Sequence, residues 1–532
     1  MFSKISLHME TNEITIKSLI KTRAKTPDDL ALMKRKISKK HKIPLSTNSE
    51  LLKAYHKLVK KRTIKENKGL ENLLRLRKIR SLSGIVVVSV LTKPYSCPGR
   101  CLYCPTQKGI PKSYLDGEPA VMRAIFNKFD PYSQVQNRIK ALNNIGHLTD
   151  KIELRIIGGT WSYYPKQYQN WFIKRCFEAC NQRKSKSLKQ SQKLNEKAKR
   201  RIVGLTVETR PDYITDKEIK RLRELGVTRV ELGIQSIYED VLKLNKRDHG
   251  IKEAVKATQL LKYAGFKICY QMMPNLPGSS IKRDKKMFKE LFLNPDFQPD
   301  LLKIYPCALL KEAPIYKIWK RMKYKPYSEK ELIRLIKDIK KNIPYYCRIQ
   351  RIIRDFPSQK IVKGGVKISN LRQILAENSK NEDWKCHCIR CREVKENYNP
   401  KEKLYLFKES YLASNGKEVF LSFESKEREK LYSLLRLRIN AKSRYIIPVL
   451  KNAAIIRELH TYGQLHPINE DKVSIISPQH KGLGKKLIKE AEKIAKKEFG
   501  LSKIAAISAI GTRSYWRKLG YKLKDTYMVK EI

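Results

Sequence analysis

The chain lacks any apolar run long enough to cross a membrane; the longest, Gly84–Leu91 (GIVVVSVL), is only strand length. Its opening residues, MFSKISLHME, lack the apolar stretch of a secretory signal. Acidic residues are scarce, 52 Asp+Glu against 114 Lys+Arg, which leaves a formal net charge of +62. Cysteine is sparse and odd in number, 11 in 532 residues. Together these absences argue against a membrane protein and against a disulfide-stapled secreted one, and they predict a cytoplasmic chain. Cysteines that cluster in a reducing compartment are metal ligands before they are disulfides.

What is present points to nucleic acid. A strongly basic field attracts polyanions, and neutralised phosphates release counterions. A lysine-rich surface adapted to heat would carry matching glutamate, and here glutamate does not keep pace. The excess is strong at the start, where residues 1–80 hold 22 Lys/Arg and 7 acids. Leu51, Leu52, Tyr55, Leu58 and Val59 form one apolar stripe there, so this region reads as a basic helical module that binds nucleic acid.

From residue 84 the pattern changes to apolar strands separated by amphipathic spans. The candidate strands are 84–92, 151–160, 201–211, 229–236, 267–278 and 301–310, with helices between, such as 216–226 and 251–267. Near-continuous apolar strands alternating with helices predict parallel βα units. Six of them make an α/β fold, a partial (β/α)6 barrel with its chemistry at the C-terminal strand ends. The lysine-rich stretch 185–201 reads as a solvated insertion. The expected domains are 1–80, 81–375, a linker over 376–400, and a smaller α/β domain over 401–532 with a helix from 482 to 499 and a strand from 504 to 510.

Residues 97–105 read CPGRCLYCP and follow the first strand directly. Cys97, Cys101 and Cys104 supply three thiolates, one fewer than a four-iron cubane needs, so one iron stays open. S-adenosylmethionine can chelate that iron and be cleaved by an electron to a 5′-deoxyadenosyl radical. A structural zinc site would prefer four ligands in CxxC pairs. With Tyr103 before the last cysteine and Gly158-Gly159 closing the second strand, the segment resembles the radical-SAM superfamily. That resemblance implies a 4Fe-4S cluster and places Gly158, Gly159 and Thr160 beside the cofactor. Many members have an acid at the Thr160 position. Glu208, in TVETRP, is placed at the barrel mouth by its position at a strand end.

Residues 479–484 read QHKGLG and open an amphipathic helix carrying Leu483, Leu487, Ile488, Ala491, Ile494 and Ala495 at helical spacing. Backbone N–H groups at such a start can hold a pyrophosphate. With the preceding AAIIRELHTYG and the later TRSYWRKLGY, the segment resembles the GNAT acetyltransferases. Both halves in one chain resemble the tRNA wobble-uridine acetyltransferase family, the catalytic subunits of Elongator, in its short-spaced CxxxCxxC archaeal form. Stretches such as MRAIFNKFDPY, GLTVETRPDY, LGIQSIYEDV and GTRSYWRKLGYKL carry the likeness over nearly the whole chain.

The resemblance implies that acetyl-CoA, activated at its methyl group by the deoxyadenosyl radical, adds to C5 of uridine 34 of tRNA and leaves 5-carboxymethyluridine. A radical does not need the base to be nucleophilic, and the cofactor carries the hard step. It implies that Glu458, Leu459, His460 and Thr461 follow the pantetheine arm, that Gln479 and Gly482, Leu483, Gly484 and Lys485 hold the pyrophosphate, and that Tyr515 and Trp516 approach the thioester, with Tyr515 as the catalytic candidate. It also implies that Lys151 contacts acetyl-CoA across the domain boundary. Cys386, Cys388 and Cys391 in CHCIRC suit structural zinc. The fourth ligand is expected at Cys307, with Cys347 and His387 as the other choices, and a second iron–sulfur cluster is the rival. Cys176, Cys180 and Cys269 fall on core faces. The expected partners are tRNA at the basic N-terminal region and barrel mouth, a one-electron donor and a homodimer, with no membrane. A protein lysine acetyltransferase would leave the cysteines unexplained, a tRNA-binding scaffold would need neither motif, and a methylthiotransferase would not need the acetyl-CoA half.

Overall fold

The computed structural model describes residues 2–532 except 23, 78–79, 365–366, 369, 397, 442–444, 467–476 and 480, with the backbone alone at 2–9. His480 of the glycine-rich motif therefore lies outside the described residues. Among the described residues no helix is long and apolar enough to cross a membrane.

Four helices open the chain, α1 (Phe2–Ile20), α2 (Pro27–His41), α3 (Asn48–Lys60) and α4 (Lys68–Leu74). Thr26 with Asp29, and Thr47 with Glu50, close capping boxes that start α2 and α3 where the sequence turns apolar-periodic. Ile16, Leu30, Leu51, Leu52, Tyr55, Leu58 and Leu74 form their own small core, with Val59 packed at its edge. The lysines and arginines are thereby left to the outer faces. His147 ties the end of this module to the barrel: its ring meets Ser81 Oγ at 2.8 Å and Leu76 O at 3.0 Å.

The central unit is a parallel sheet of β1 (Val86–Leu91), β2 (Lys151–Ile157), β3 (Arg201–Thr209), β4 (Arg229–Gln235), β5 (Lys267–Met272) and β6 (Leu301–Ile304), in chain order. β7 (Leu309–Leu310) leaves it to pair with β9 (Ile361–Lys363), and β8 (Arg348–Arg351) adds a seventh parallel strand beside β6. The half-barrel is thus one strand wider than the six units expected, because RIQR is too short and too polar to announce itself as a strand. Cys176 and Cys180 are buried in its hydrophobic core, as expected, whereas Cys269 is buried with its sulfur turned to Gln350 among charged residues.

The second sheet has the order β10 (Tyr405–Leu412), β11 (Gly416–Glu424), β12 (Leu431–Asn440), β13 (Ala454–Thr461), β14 (Lys503–Ala506), β16 (Tyr527–Glu531), β15 (Lys522–Lys524). It is antiparallel except where β13 runs parallel to β14. Only Ala454–Ile456 of β13 pair with β14, and the register against β12 shifts at the next residue, so β13 bends away and opens a gap. The helix Leu483–Lys497 starts at that gap.

Two expectations about the connections change. The helix Leu371–Asn381 runs across the expected 375/376 boundary. The stretch 185–201 is not merely solvated: Asn195 bonds Ile202 N and Arg200 O, and Glu196 receives Arg513 and Arg517 at 3.2 and 2.6 Å. Its polar groups face partners from the second sheet's domain, which a local reading of charge cannot reveal. The two sheets are further joined through Asp300, which is fully buried and held by Arg457 at 2.5 and 3.0 Å. Glu418 takes the other side of Arg457 at 2.8 Å.

Candidate functional site

A single cavity of about 1330 Å³ is lined by Cys97, Cys101 and Cys104 from the loop after β1, and by Gly482–Lys485, Tyr515 and Trp516 from the second domain. The loop is fastened at several points. Lys112 Nζ donates to Gly99 O at 2.5 Å, Leu102 N to Asn245 O at 3.1 Å, and Ile315 N to Leu102 O at 2.9 Å. Cys101 is buried, and Arg247 Nη1 stands 3.4 Å from its sulfur. A hydrogen bond from Cys104 and the Arg247 charge lower the Cys101 thiol and favour a thiolate at this pair. The three sulfurs do not all come within 4.8 Å of one another, whereas those of Cys386, Cys388 and Cys391 do. Three cavity-facing thiols set wider than ligands of one ion, with a cation beside one of them, fit a multi-iron cluster with an open position.

The glycine pair beyond β2 divides two tasks. Gly158 has φ 131°, and a Cβ there would stand 2.0 Å from Thr92 Oγ1, so it is fixed by close packing on the strand next door. Gly159 has φ 110°, and its Cβ position meets nothing nearer than 3.8 Å, so it leaves open cavity beside the thiols. Thr160 follows it, buried at the wall. Glu208 does reach the mouth but is fully engaged: Tyr114 Oη donates to it at 2.8 Å, Lys303 Nζ at 3.2 Å and Gln271 Nε2 at 3.3 Å. Lys303 also pairs with Glu231, which Arg155 meets at 3.1 Å.

On the other wall, Glu458–Thr461 are the part of β13 that has left β14. The Glu458 side chain is a clamp rather than a free base, with Lys267 and Arg436 each at 2.8 Å. Against the burial that would raise it, these cations hold its carboxyl far below the usual range. Leu459 would approach a Cβ at Gly484 to 3.6 Å, His460 Nε2 meets Ser83 O at 2.7 Å, and Thr461 Oγ1 lies 3.0 Å from Ser433 Oγ. Gly482 is left-handed at φ 79° and offers no side-chain cap, so the first N–H groups of the helix are free for an anion. Tyr515 Oη lies over this start, 3.1 Å from where a Gly484 Cβ would be, and burial pushes its hydroxyl up to about 12. Trp516 packs into the core against Tyr521, ring centroids 5.0 Å apart.

Lys151 reaches across the boundary, but to a protein group: its Nζ donates to Gln479 Oε1 at 2.9 Å. Gln479 Nε2 in turn donates to Thr461 O at 3.0 Å and Gly84 O at 3.2 Å. Burial pulls Lys151 down to about 8.

Cys307 is not part of the second cysteine group. It is buried after β6, its N–H bonded to Pro274 O at 2.9 Å and its thiol pushed up to about 12 by burial beside Tyr324. Cys347 and His387 stand outside the group as well; Cys347 O accepts from Ile389 N, and His387 packs on Tyr345. Lys340 Nζ instead approaches Cys391 Sγ at 3.5 Å. These sulfurs do not line the large cavity.

Sequence reasoning missed Arg247, Tyr114 and a cluster of Arg80, Arg123 and Arg138 on the cavity wall. Among the described residues these three arginines have no ion-pair partner, and burial and their mutual repulsion draw Arg138 down to about 10. None sits in a motif; only the fold brings them together.

Residues 91–291 match the model of the radical SAM superfamily, and 299–381 that of the radical SAM C-terminal domain. The chain is 47% identical over 498 residues to the tRNA uridine(34) acetyltransferase of Methanocaldococcus infernus, covering 91% of each chain. It is 42% identical to the enzyme of that name from Dehalococcoides mccartyi, covering 85% of this chain and 99% of that one. Elongator complex protein 3 of Homo sapiens is 38% identical, covering 86% of each. The solved archaeal Methanocaldococcus infernus Elp3 with an N-terminal deletion (1–46) superposes with a TM-score of 0.74 at 45% identity, over 85% of this chain and all of that one. The chain belongs to the tRNA uridine(34) acetyltransferase family of radical SAM proteins, which includes Elongator complex protein 3.

Proposed function

We propose that the chain converts uridine 34 of tRNA to 5-carboxymethyluridine, with acetyl-CoA as the carbon source and S-adenosylmethionine as the radical source. The observation that carries this reading is the shared cavity: Cys97, Cys101 and Cys104 and the glycine-led start of the helix Leu483–Lys497 line one space. Bound at Cys97, Cys101 and Cys104, a 4Fe-4S cluster with S-adenosylmethionine supplies a hydrogen-abstracting radical. The overall change removes a hydrogen atom from the acetyl methyl, forms a carbon–carbon bond at uridine C5 with loss of its proton and one electron, and uses water to release CoA.

The chain's own residues bind, orient and enclose. Arg247 keeps Cys101 ionised for metal. Gly159 leaves space for a methionine chain, with Thr160 beside it, where the resemblance gives many relatives an acid. The free N–H groups at Gly482–Lys485 seat a pyrophosphate, and the splayed half of β13 presents backbone groups to a pantetheine arm. Tyr515, neutral at physiological pH, is placed to donate a hydrogen bond to a thioester oxygen. Lys151, Gln479 and Thr461 hold the two walls at a fixed separation. The partner-free Arg80, Arg123 and Arg138 suit phosphates of an RNA approaching over the basic N-terminal helices. Cys386, Cys388 and Cys391 suit three ligands of a structural zinc.

The test is anaerobic turnover of tRNA, followed by nucleoside mass spectrometry. Carboxymethyluridine that requires both S-adenosylmethionine and acetyl-CoA is expected. Acetyl-lysine on protein with unmodified uridine would overturn the reading.

A further inference from the structure

Outside the central cavity, a smaller groove is lined by Arg100, Glu239, Lys243, Lys246, Arg247, Asp248, His249 and Gly250. Its place in the fold is unusual. Arg247 lines both this groove and the central cavity, so a single side chain forms the wall between the outside and the cysteine loop. One end of that guanidinium is 3.4 Å from Cys101 Sγ, and its Nε is 2.7 Å from His249 Nε2, which belongs to the groove. The backbone closes the same contact, since Leu102 N bonds Asn245 O across it at 3.1 Å.

The rim is positive. Lys243, Lys246 and Arg100 are exposed and have no ion-pair partner among the described residues. The groove's acids are already occupied: Asp248 pairs with Arg210 at 3.2 Å, and Glu239 accepts from Ile251 N at 2.7 Å. Leu244 stands exposed in the same helical segment as Lys243, an apolar contact point beside the groove. A basic rim suits docking of an acidic protein, whose approach such a field steers.

We propose that this groove is the port through which an acidic one-electron carrier protein reduces the cluster, passing its electron across His249 and Arg247 to the Cys101 side. The inference rests on the radical reading above. The step is a bare electron transfer: the carrier is oxidised by one electron, the cluster is reduced by one, and no bond is made or broken.

The test uses a flavodoxin as the acidic carrier and Lys243→Glu/Lys246→Glu as the variant, with Lys496→Glu/Lys497→Glu on the second domain as the control for net charge. The first readout is binding of the flavodoxin, titrated at rising ionic strength. Wild type and control should bind with a salt-weakened affinity, and the groove variant about tenfold or more weaker. The second is 5′-deoxyadenosine formation with two reductants. Flavodoxin-driven cleavage should fall about tenfold in the groove variant, and dithionite-driven cleavage should stay within about twofold. Equal binding by wild type and groove variant, no binding by wild type, or equal losses with both reductants would overturn the port. Failure of the wild type to cleave S-adenosylmethionine with dithionite would instead overturn the radical reading, and the port with it.

Discussion

The chain holds two groups of three cysteines, and the fold treats them oppositely. Cys97, Cys101 and Cys104 face the central cavity, stand wider than ligands of one ion, and have Arg247 beside Cys101. Cys386, Cys388 and Cys391 gather within 4.8 Å, away from the cavity, with Lys340 as their nearest cation. Thiol number and local spacing are nearly the same in both. The difference lies in where the groups stand: the first lines the shared cavity, while the second lies outside it, with Cys388 buried and Cys391 at the surface. A thiol set that opens on a cavity can meet a substrate, and one gathered within the reach of a single ion suits a structural site.

Substitutions can break that comparison. Cys101→Ala should abolish S-adenosylmethionine cleavage, by about a thousandfold or more, while thermal unfolding stays near that of wild type; a large drop in Tm would make the first group structural too. Asp300→Asn leaves Arg457 and Arg436 under-compensated between the sheets, at a cost of about 3–5 kcal/mol. Calorimetry should then resolve two transitions where the wild type gives one. Cys388→Ser should remove the metal of the second group and lower Tm, while cleavage per folded molecule stays within about twofold. Metal analysis alongside activity separates those effects.

The glycine pair sharpens the point at smaller cost. Gly158→Ala drives a methyl into Thr92 and should lower stability by about 2 kcal/mol. Gly159→Ala meets open cavity and should weaken S-adenosylmethionine binding more than it lowers Tm. The smallest effect is one of pH. Burial holds His147 down at about 4, against 6.5 when free. Below 6.5 the unfolded chain takes a proton that the folded chain refuses, so the contribution of His147 to stability should fall as pH drops from 6.5 towards 4 and be flat above. A His147→Gln variant should lose His147's share of that slope in denaturant titrations, with His249, also held down at about 4 by burial, keeping its own.

Much of this was legible in the sequence because it is local. The alternation of apolar strands with helices gave six of the seven barrel strands, and CPGRCLYCP and QHKGLG each contain their own turn chemistry. What was not legible is what the fold assembles from distant residues. Arg247 lies 146 positions from Cys101. Gln479 and Lys151, 328 positions apart, meet only when the domains dock. Glu196 looked solvated until Arg513 and Arg517 came to it. Cys307 likewise stands apart from Cys386, Cys388 and Cys391: a cysteine count shows how many thiols exist, and packing shows which of them stand together.

The central claim is that the two halves act on one carbon inside one cavity. Acetyl-CoA deuterated in its methyl group, supplied anaerobically with tRNA, S-adenosylmethionine and a one-electron reductant, tests it directly. Deuterium in 5′-deoxyadenosine, formed together with carboxymethyluridine, is the expected result. Carboxymethyluridine with no deuterium in the deoxyadenosine would contradict it.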